Sequence, residues 1–252
     1  MSAEYSKAGG ATIRWLGQAG FLIDVAGTRI AVDPYLSDEC ERIHGLVRVA
    51  PAPITPTGLS VDAIAVTHWH EDHFDLPTVE AARSKGCTII APPSVLARIR
   101  GMLGDGDDLL AIRPGETVPV GAVHIRATPA VHRVAGFLTE DAVGILIEAA
   151  DQVIYHSGDT EYSRQIVDAL NRHIDVALVC VNGSGGNMNV MEAAAFVAQL
   201  DVAKVVPMHV GMWADAAYGP GSTLDPLAFR DVCGRLGLPA TVTVPRSGED
   251  VG

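Results

Sequence analysis

The stretch Val66-Thr67-His68-Trp69-His70-Glu71-Asp72-His73 places three histidines and two carboxylates within six residues, directly after an apolar run. Residues 62–67 have the composition of a buried strand, so the polar cluster follows the carboxyl end of a strand, where sites in α/β folds commonly form. His68 and His70 are two residues apart and point the same way in extended backbone. Asp72 and His73 come after the chain turns, so their side chains can reach a second position a short distance away. The stretch therefore favours two neighbouring cations over one.

The order His68-Trp69-His70-Glu71-Asp72-His73 resembles the H-x-H-x-D-H signature of hydrolases with the metallo-β-lactamase fold. In that family a histidine, a bridging aspartate and a last histidine follow in this order. Residues 127–132, 155–160 and 205–209 each end or follow a predicted strand and supply all three. The resemblance runs from about Ile13 to the C-terminus. It implies an α/β fold of the four-layer αββα sandwich type.

The same resemblance implies a ligand set for two divalent metal ions per chain. The first ion would be held by His68, His70 and His132, the second by Asp72, His73 and His209, with Asp159 bridging the two. Imidazole and carboxylate ligands without thiolate fit Zn²⁺, Mn²⁺ or Fe²⁺ and do not by themselves choose among them; Zn²⁺ is the first expectation and Mn²⁺ the second. The histidine at position 70 argues against the redox di-iron branch of the fold, which generally has glutamate there.

The chemistry implied by the resemblance is hydrolysis by a hydroxide that bridges two divalent cations, because bound metal lowers the pKa of water to about 7. Asp72 is the predicted catalytic residue, since it would orient this nucleophile and relay its proton. The ligands then carry most of the catalysis, and no serine or cysteine nucleophile is required.

Finer likeness in 33–38, 156–163 and 209–213 points to the branch that contains L-ascorbate-6-phosphate lactonase. The first expectation is therefore opening of a lactone, or cleavage of an ester, of a small polar molecule. The alternatives are a phosphodiesterase that acts on a small phosphodiester and, in another class, a non-catalytic metal-binding module. Substrate contacts are expected from the loop at 35–60 and from four side chains, Arg133, Tyr162, Asn187 and Trp213.

The remaining histidines and Asp33 are weaker candidates for a role at the metal site. His44, His124 and His173 have no second potential ligand nearby in the sequence and are expected to lie away from the metal. His156 could hold Asp159 or a neighbouring ligand from behind, or it could be purely structural. Asp33 could orient a ligand histidine, although an Asp-Pro turn that ends a strand explains it equally well.

Composition narrows the classes of partner. The 252 residues carry 18 Lys+Arg against 30 Asp+Glu, a net charge of −12, which disfavours nucleic acid and anionic membranes and leaves a small-molecule substrate. The four cysteines are far apart and form no C-x-x-C pair, which disfavours a disulfide framework. We find no signal-peptide pattern and no apolar run near the ~20 residues of a membrane helix, so a cytoplasmic location is expected. A homo-oligomer is left open.

Residues 1–10 are small and polar and are expected to be flexible, ahead of one metallo-β-lactamase-like hydrolase domain at 11–252. The domain is predicted to begin with three antiparallel strands joined by glycine turns, followed by a loop at 35–60 with one helical turn. Strands and helices then alternate. Helices are predicted at 76–85, 94–103 with Ser94 as N-cap, 162–171, 190–200 and 225–236, and strands at 62–67, 88–91, 118–120, 123–128, 143–148, 153–155, 176–181, 204–207 and 240–244.

Overall fold

Two mixed β-sheets pack face to face with helices on their outer sides, in a computed structural model that describes residues 10–219 and 222–251. The first sheet contains β1 (Thr12–Gly17), β2 (Gly20–Val25), β3 (Thr28–Val32), β4 (Ala63–Ala65), β5 (Thr88–Ala91) and β6 (Leu109–Ala111), side by side in this order. The predicted αββα sandwich is confirmed. Apart from Gly10, the segment expected to be flexible lies outside the described residues.

The second sheet contains β7 (Thr117–Val120), β8 (Val123–Pro129), β11 (Val143–Glu148), β12 (Val153–His156), β13 (His173–Cys180), β14 (Asp201–Met208) and β15 (Thr241–Val242). Their order across the sheet is β15-β14-β13-β12-β11-β8-β7. Between β8 and β11 a separate hairpin is formed by β9 (Arg133–Val134) and β10 (Phe137–Leu138). In each sheet one half pairs antiparallel and the other half, β3 to β6 or β12 to β15, pairs parallel.

The helices are α1 (Glu39–His44), α2 (Leu76–Arg83), α3 (Pro93–Leu103), α4 (Arg164–Ala169), α5 (Val190–Val197) and α6 (Pro226–Arg235), with 3-10 turns at Pro56–Gly58 and Asp215–Tyr218. Among the described residues no helix is long and apolar enough to cross a bilayer. All four cysteines are free and buried, as expected of inert thiols.

Alternation along the strands explains why two apolar layers form. In β3, Ile30 and Val32 are fully buried in the cluster between the sheets, whereas Ala31 between them belongs to the cluster that underlies α2 and α3. In β4 the same alternation separates Ala63 and Ala65 from Ile64. Strands buried on both faces consist of consecutive apolar residues. This is why β4 and β5 appear in the sequence as short apolar runs without polar alternation.

Several sequence predictions were wrong in detail. Ser94 is not the N-cap of α3, because the helix begins at Pro93, a residue whose fixed φ suits the first helical position. The Ser94 amide instead donates to Asp141 from another loop, at 2.9 Å. The strand predicted at 62–67 ends at Ala65, because the next two residues leave the sheet toward the polar cluster. The sequence analysis also missed β6 and the hairpin of β9 and β10, which are too short to show a period.

Candidate metal centre

All seven predicted ligands lie at one edge of the sandwich, where strands of both sheets end. The loop after β4 carries four of them, His68, His70, Asp72 and His73. The other three follow strands of the second sheet, with His132 after β8, Asp159 after β12 and His209 after β14. Parallel strands present their carboxyl ends at the same edge, so two packed sheets bring these loops together.

A glycine permits a close contact between the two sheets at this edge. Gly158 has φ +58°, and a Cβ there would lie 2.8 Å from the Val143 carbonyl oxygen and 3.0 Å from Cβ of Thr67. The Val143 amide also donates to the Thr67 carbonyl at 3.0 Å. Because Thr67 precedes His68 and Gly158 precedes Asp159, this contact places the aspartate beside the histidine loop.

The first triplet consists of His68, His70 and His132. Nδ1 of His70 lies 2.9 Å from Nε2 of His68 and 3.1 Å from Nε2 of His132. His68 and His132 are buried, and His70 is half-buried. Three imidazole nitrogens therefore converge on one point at the mouth of the sandwich.

The second triplet consists of Asp72, His73 and His209. Nε2 of His209 lies 3.1 Å from Nε2 of His73 and 3.2 Å from Oδ2 of Asp72. Asp159 lies between the triplets, with Oδ2 at 3.1 Å from Nε2 of His209 and 3.9 Å from Nε2 of His132. Its other oxygen, Oδ1, lies 3.3 Å from Nε2 of His73.

These separations fit bound cations. Ligand atoms at roughly 2.0–2.2 Å from one tetrahedral ion lie about 3.3 Å from one another, close to the spacing found in both triplets. One proton on Nδ1 of His70 could bond only one of the two nitrogens that face it, whereas a shared cation would satisfy all three. Oδ1 of Asp159 is buried and lies 3.3 Å from Nε2 of His73, a separation that two ligand atoms bonded to one cation would also show.

The histidines of the first triplet have lowered pKa values, which favour the neutral imidazole that can bind a cation. Burial lowers the pKa of His68 well below its ordinary value, and the neighbouring His73 and His132 add to the effect. Burial also lowers the pKa of His132 to about 4, against the opposing influence of Asp159. The pKa of His70 is lowered by the same cause. All three rings are therefore neutral at pH 7.

The second triplet attracts positive charge. Burial disfavours a charged His209, but the carboxylates of Asp159 and Asp72 outweigh it and raise its pKa to about 9. The pKa of His73 is likewise raised well above its ordinary value, because these carboxylates and Asp33 outweigh burial. The positive imidazoles in turn hold the pKa values of Asp72 and Asp159 below the ordinary range despite burial.

Thr67 and Asp33 select the ring nitrogens that face the centre. The Thr67 hydroxyl donates to Oδ2 of Asp33 at 2.6 Å and therefore accepts from Nδ1 of His68, 3.0 Å away. Asp33 also lies behind His73, since its Oδ2 is 2.7 Å from Nδ1 of that ring. With protons on both Nδ1 atoms, Nε2 is the nitrogen of each ring that faces the centre and would bind a cation, in His73 after loss of its second proton. Of the two readings left open for Asp33, the structure supports the one in which it orients a ligand histidine.

The remaining histidines lie outside the two triplets. His156 is buried, and its ring bonds to the Ala19 carbonyl at 2.7 Å and to the Gly158 amide at 3.0 Å, so it contacts the turn before Asp159 rather than that carboxylate. His44 pairs with Glu71 in an exposed contact. His124 and His173 are exposed on β8 and β13.

The four predicted substrate residues separate into two kinds. Arg133 and Tyr162 are exposed and bonded to neighbours, Arg133 to Glu161 at 2.8 Å and Tyr162 to Gln199. Asn187 and Trp213 are each only 7% exposed, and their side-chain polar atoms have no partner in the described structure. The loop expected at 35–60 contributes Arg48, Ala50 and Pro51 to a cleft of about 560 Å³, which Gln18 and Met212 also line.

Sequence reasoning missed Gln18. This fully buried residue lies in the turn between β1 and β2, with its amide nitrogen 2.9 Å from Oδ2 of Asp72. Gln18, Asp33 and His209 have φ values of +50°, +45° and +67°, a left-handed conformation that few non-glycine residues adopt. Such conformations cluster at functional sites, where the surrounding structure stabilises them. The available signal was a long polar side chain between small residues in Gly17-Gln18-Ala19-Gly20.

Comparison with known proteins identifies the family to which the chain belongs. The sequence profile of the β-lactamase superfamily domain matches residues 12–209. A UPF0173 metal-dependent hydrolase of Methanosarcina mazei is 31% identical over 207 residues, which cover 78% of this chain and 82% of that protein. One of Thermococcus onnurineus is 32% identical over 241 residues, which cover 94% and 97%.

Among solved structures, Igni18, a metallo hydrolase from the hyperthermophilic archaeon Ignicoccus hospitalis, superposes with a TM-score of 0.73 at 22% identity, over 95% of this chain and 97% of that one. This likeness concerns the fold. Together with the sequence matches and the clustered histidines and aspartates, it assigns the chain to the β-lactamase superfamily, as a metal-dependent hydrolase with the metallo-β-lactamase fold.

Proposed function

We propose that the chain hydrolyses a lactone or an ester of a small polar molecule at a centre of two divalent cations. The observation that carries the proposal is the pair of triplets with Asp159 between them. His68, His70 and His132 would hold the first cation, and Asp72, His73 and His209 the second. The donors are imidazoles and carboxylates without thiolate, a set that suits Zn²⁺ first and Mn²⁺ second.

Bound cations would supply Lewis acidity toward the substrate carbonyl and would lower the pKa of a water to about 7. Asp72 is the residue proposed to orient that water and to accept its proton. Its carboxylate is ionised at neutral pH, because His73 and His209 hold its pKa low, and it is accessible from the mouth of the site. Gln18 donates to Oδ2 of Asp72, which limits rotation of the carboxylate.

A polar substrate is supported by the loop after β13. Both amide atoms of Asn187 are buried without a hydrogen-bond partner, which costs about 1–3 kcal/mol for each unsatisfied group unless a ligand or water bonds to it. The neighbouring Met188 amide donates to the Thr160 carbonyl at 3.0 Å, so this loop lies against the residue that follows Asp159. We therefore propose Asn187 as a contact for a polar group of the substrate, with Trp213 as a second contact.

The remaining two candidates would have to exchange partners to reach a substrate. Arg133 would leave Glu161, and Tyr162 would leave Gln199. Both pairs are exposed, and exposed pairs contribute little stability, so such exchange is energetically easy. We retain both as proposed substrate contacts at the rim.

A substrate panel tests the proposal. Metal-free protein is reloaded separately with Zn²⁺, Mn²⁺ and Fe²⁺, and hydrolysis of lactones, aryl esters and bis(4-nitrophenyl) phosphate is measured. We expect metal-dependent turnover of lactones or esters that exceeds turnover of the phosphodiester. Turnover of the phosphodiester alone would identify a phosphodiesterase, and two bound ions with no turnover of any substrate would identify a binding module.

A further inference from the structure

Gln18 lies in the tight turn between β1 and β2, at the edge where the candidate ligands converge. Its side chain is fully buried, and its backbone has φ +50°. A non-glycine residue in this left-handed conformation is strained, and such residues persist where the surrounding structure stabilises them. The chain therefore keeps a long polar side chain inside the protein at a strained position, which calls for a specific set of partners.

The amide of Gln18 has a defined orientation. Its Nε2 lies 2.9 Å from Oδ2 of Asp72, and because a carboxylate can only accept, the nitrogen must face Asp72. Its Oε1 accepts from the hydroxyl of Tyr218 at 3.4 Å. The Tyr218 hydroxyl in turn accepts from the Met212 amide at 3.1 Å. This chain of bonds links Asp72 to the loop that follows His209.

The backbone of Gln18 holds His209 directly. The Gln18 carbonyl accepts from the His209 amide at 3.0 Å and from the indole nitrogen of Trp15 at 3.0 Å. His209 has φ +67°, so its own strained backbone depends on this hydrogen bond. Nε2 of Gln18 also packs 3.2 Å from Nδ1 of the His209 ring. One residue thus contacts Asp72 and both the backbone and the ring of His209.

The contacts are restricted to one triplet. Within the part of the chain that the structure describes, the hydrogen bonds of the Gln18 side chain reach Asp72, His209 and Tyr218, and none reaches His68, His70 or His132. In the first triplet, support from behind comes from the Thr67 hydroxyl at Nδ1 of His68. Thr67 and Asp33 support ligands of both triplets, whereas the Gln18 side chain contacts the second triplet and not the first.

We infer that Gln18 is a positioning residue for the second cation, setting its affinity through Asp72 and His209 without affecting the first. The inference rests on the proposed function, because it requires two cations. Removing a hydrogen-bond partner of a metal ligand typically lowers metal affinity 10–100-fold. A loss of that size confined to one site would leave a protein that binds one ion tightly and one weakly.

The test is stepwise binding of Zn²⁺ to metal-free protein in competition with a chromophoric chelator. Gln18→Met preserves length and apolar volume but removes the amide. We expect two tight equivalents in the wild type, and in Gln18→Met a first equivalent unchanged and a second weakened 10–100-fold. Gln152→Met is the matched control, since Gln152 lies in the turn between β11 and β12 and its side chain, among the residues that the structure describes, bonds to the Ala11 amide and the Asp151 carbonyl.

The outcomes are distinguishable. Two unchanged equivalents in Gln18→Met, or equal weakening of both, would overturn the inference. A single equivalent in the wild type would instead overturn the two-cation proposal. Should Gln18→Met fail to fold by circular dichroism, Tyr218→Phe removes the hydroxyl that holds the Gln18 amide, and a several-fold weakening of the second equivalent alone is then the required result.

Discussion

Asp33 and His73 form a fully buried pair, with Oδ2 of the aspartate 2.7 Å from Nδ1 of the histidine. One belongs to the turn that ends β3 and the other to the loop after β4, so two neighbouring strands of the first sheet contribute to one side of the centre. The carboxylate keeps the proton on Nδ1 and makes Nε2 a stronger donor to a cation. Asp33 is therefore essential to the second triplet although it points away from the centre.

Replacing this carboxylate should weaken metal binding without removing a ligand. We expect Asp33→Asn to lower the affinity for the second cation about 10–100-fold, because the amide lacks the negative charge that stabilises the bound His73. Chelator competition measures this change. Asp62→Asn, at an exposed aspartate that accepts from the Arg29 amide, is the control and should leave both affinities unchanged.

Asp159 should determine the stoichiometry. We expect elemental analysis of gently purified protein to give close to two ions per chain. Asp159→Asn should lower that value and reduce turnover by at least 100-fold, because an amide offers one neutral oxygen to two cations. Full activity with one tightly held ion would be incompatible with a bridging role for this residue.

His132 and His124 allow a matched comparison within one segment of chain. His124 lies in the middle of β8 with its side chain exposed, whereas His132 lies beyond the strand and is only 1% exposed. His132→Ala should lose the first cation and most turnover, while His124→Ala should change neither by more than about twofold. Metal content and rate, measured on the same preparations, check both expectations, and the reverse pattern would refute the ligand assignment.

Cation uptake should release protons unequally at the two sites. At pH 7 His209, with a pKa of about 9, is protonated in the metal-free protein and must lose its proton to bind, whereas His132, with a pKa of about 4, is already neutral. The second affinity should therefore rise with pH up to about 9, by at least tenfold per pH unit. The first should stay nearly constant from pH 8 to 7, because burial lowers the pKa values of its three histidines. Calorimetric titration in buffers of different ionisation enthalpy counts the protons, and equal release at both steps would contradict the assignment.

The sequence predicted the centre better than the elements around it. His68 and His70 could be placed because two residues of extended backbone fix their relative direction, and Asp159 because it follows a strand at the position that the family requires. Short elements such as β6 could not be predicted, since three residues carry no period and the pairing with β5 is decided by distant segments. The capping role predicted for Ser94 failed for the same reason, because Asp141, 47 residues later, supplies the acceptor.

The residues behind the ligands were the hardest to foresee. Gln18 and Asp72 are 54 residues apart, and Gln18 and His209 are 191 apart. No local pattern relates positions so distant, and a glutamine in a glycine turn resembles an ordinary solvated residue. For Asp33 the sequence left two interpretations open, an Asp-Pro turn and orientation of a ligand histidine, because its contact with His73 spans 40 residues. Local sequence therefore identifies the candidate ligands but not the residues that contact them from distant parts of the chain.

The candidate ligands come from both sheets, four from the loop after β4 and three from loops that follow strands of the second sheet. Each cation would therefore act as a removable crosslink between the two halves of the sandwich. A ligand present at 100 times its dissociation constant stabilises the folded state by about 2.7 kcal/mol, so two such ions would contribute a large part of the stability of a typical domain. In a metal-poor cell the chain would unfold more often and would be degraded sooner. Its abundance would then follow the supply of free metal without any change in transcription.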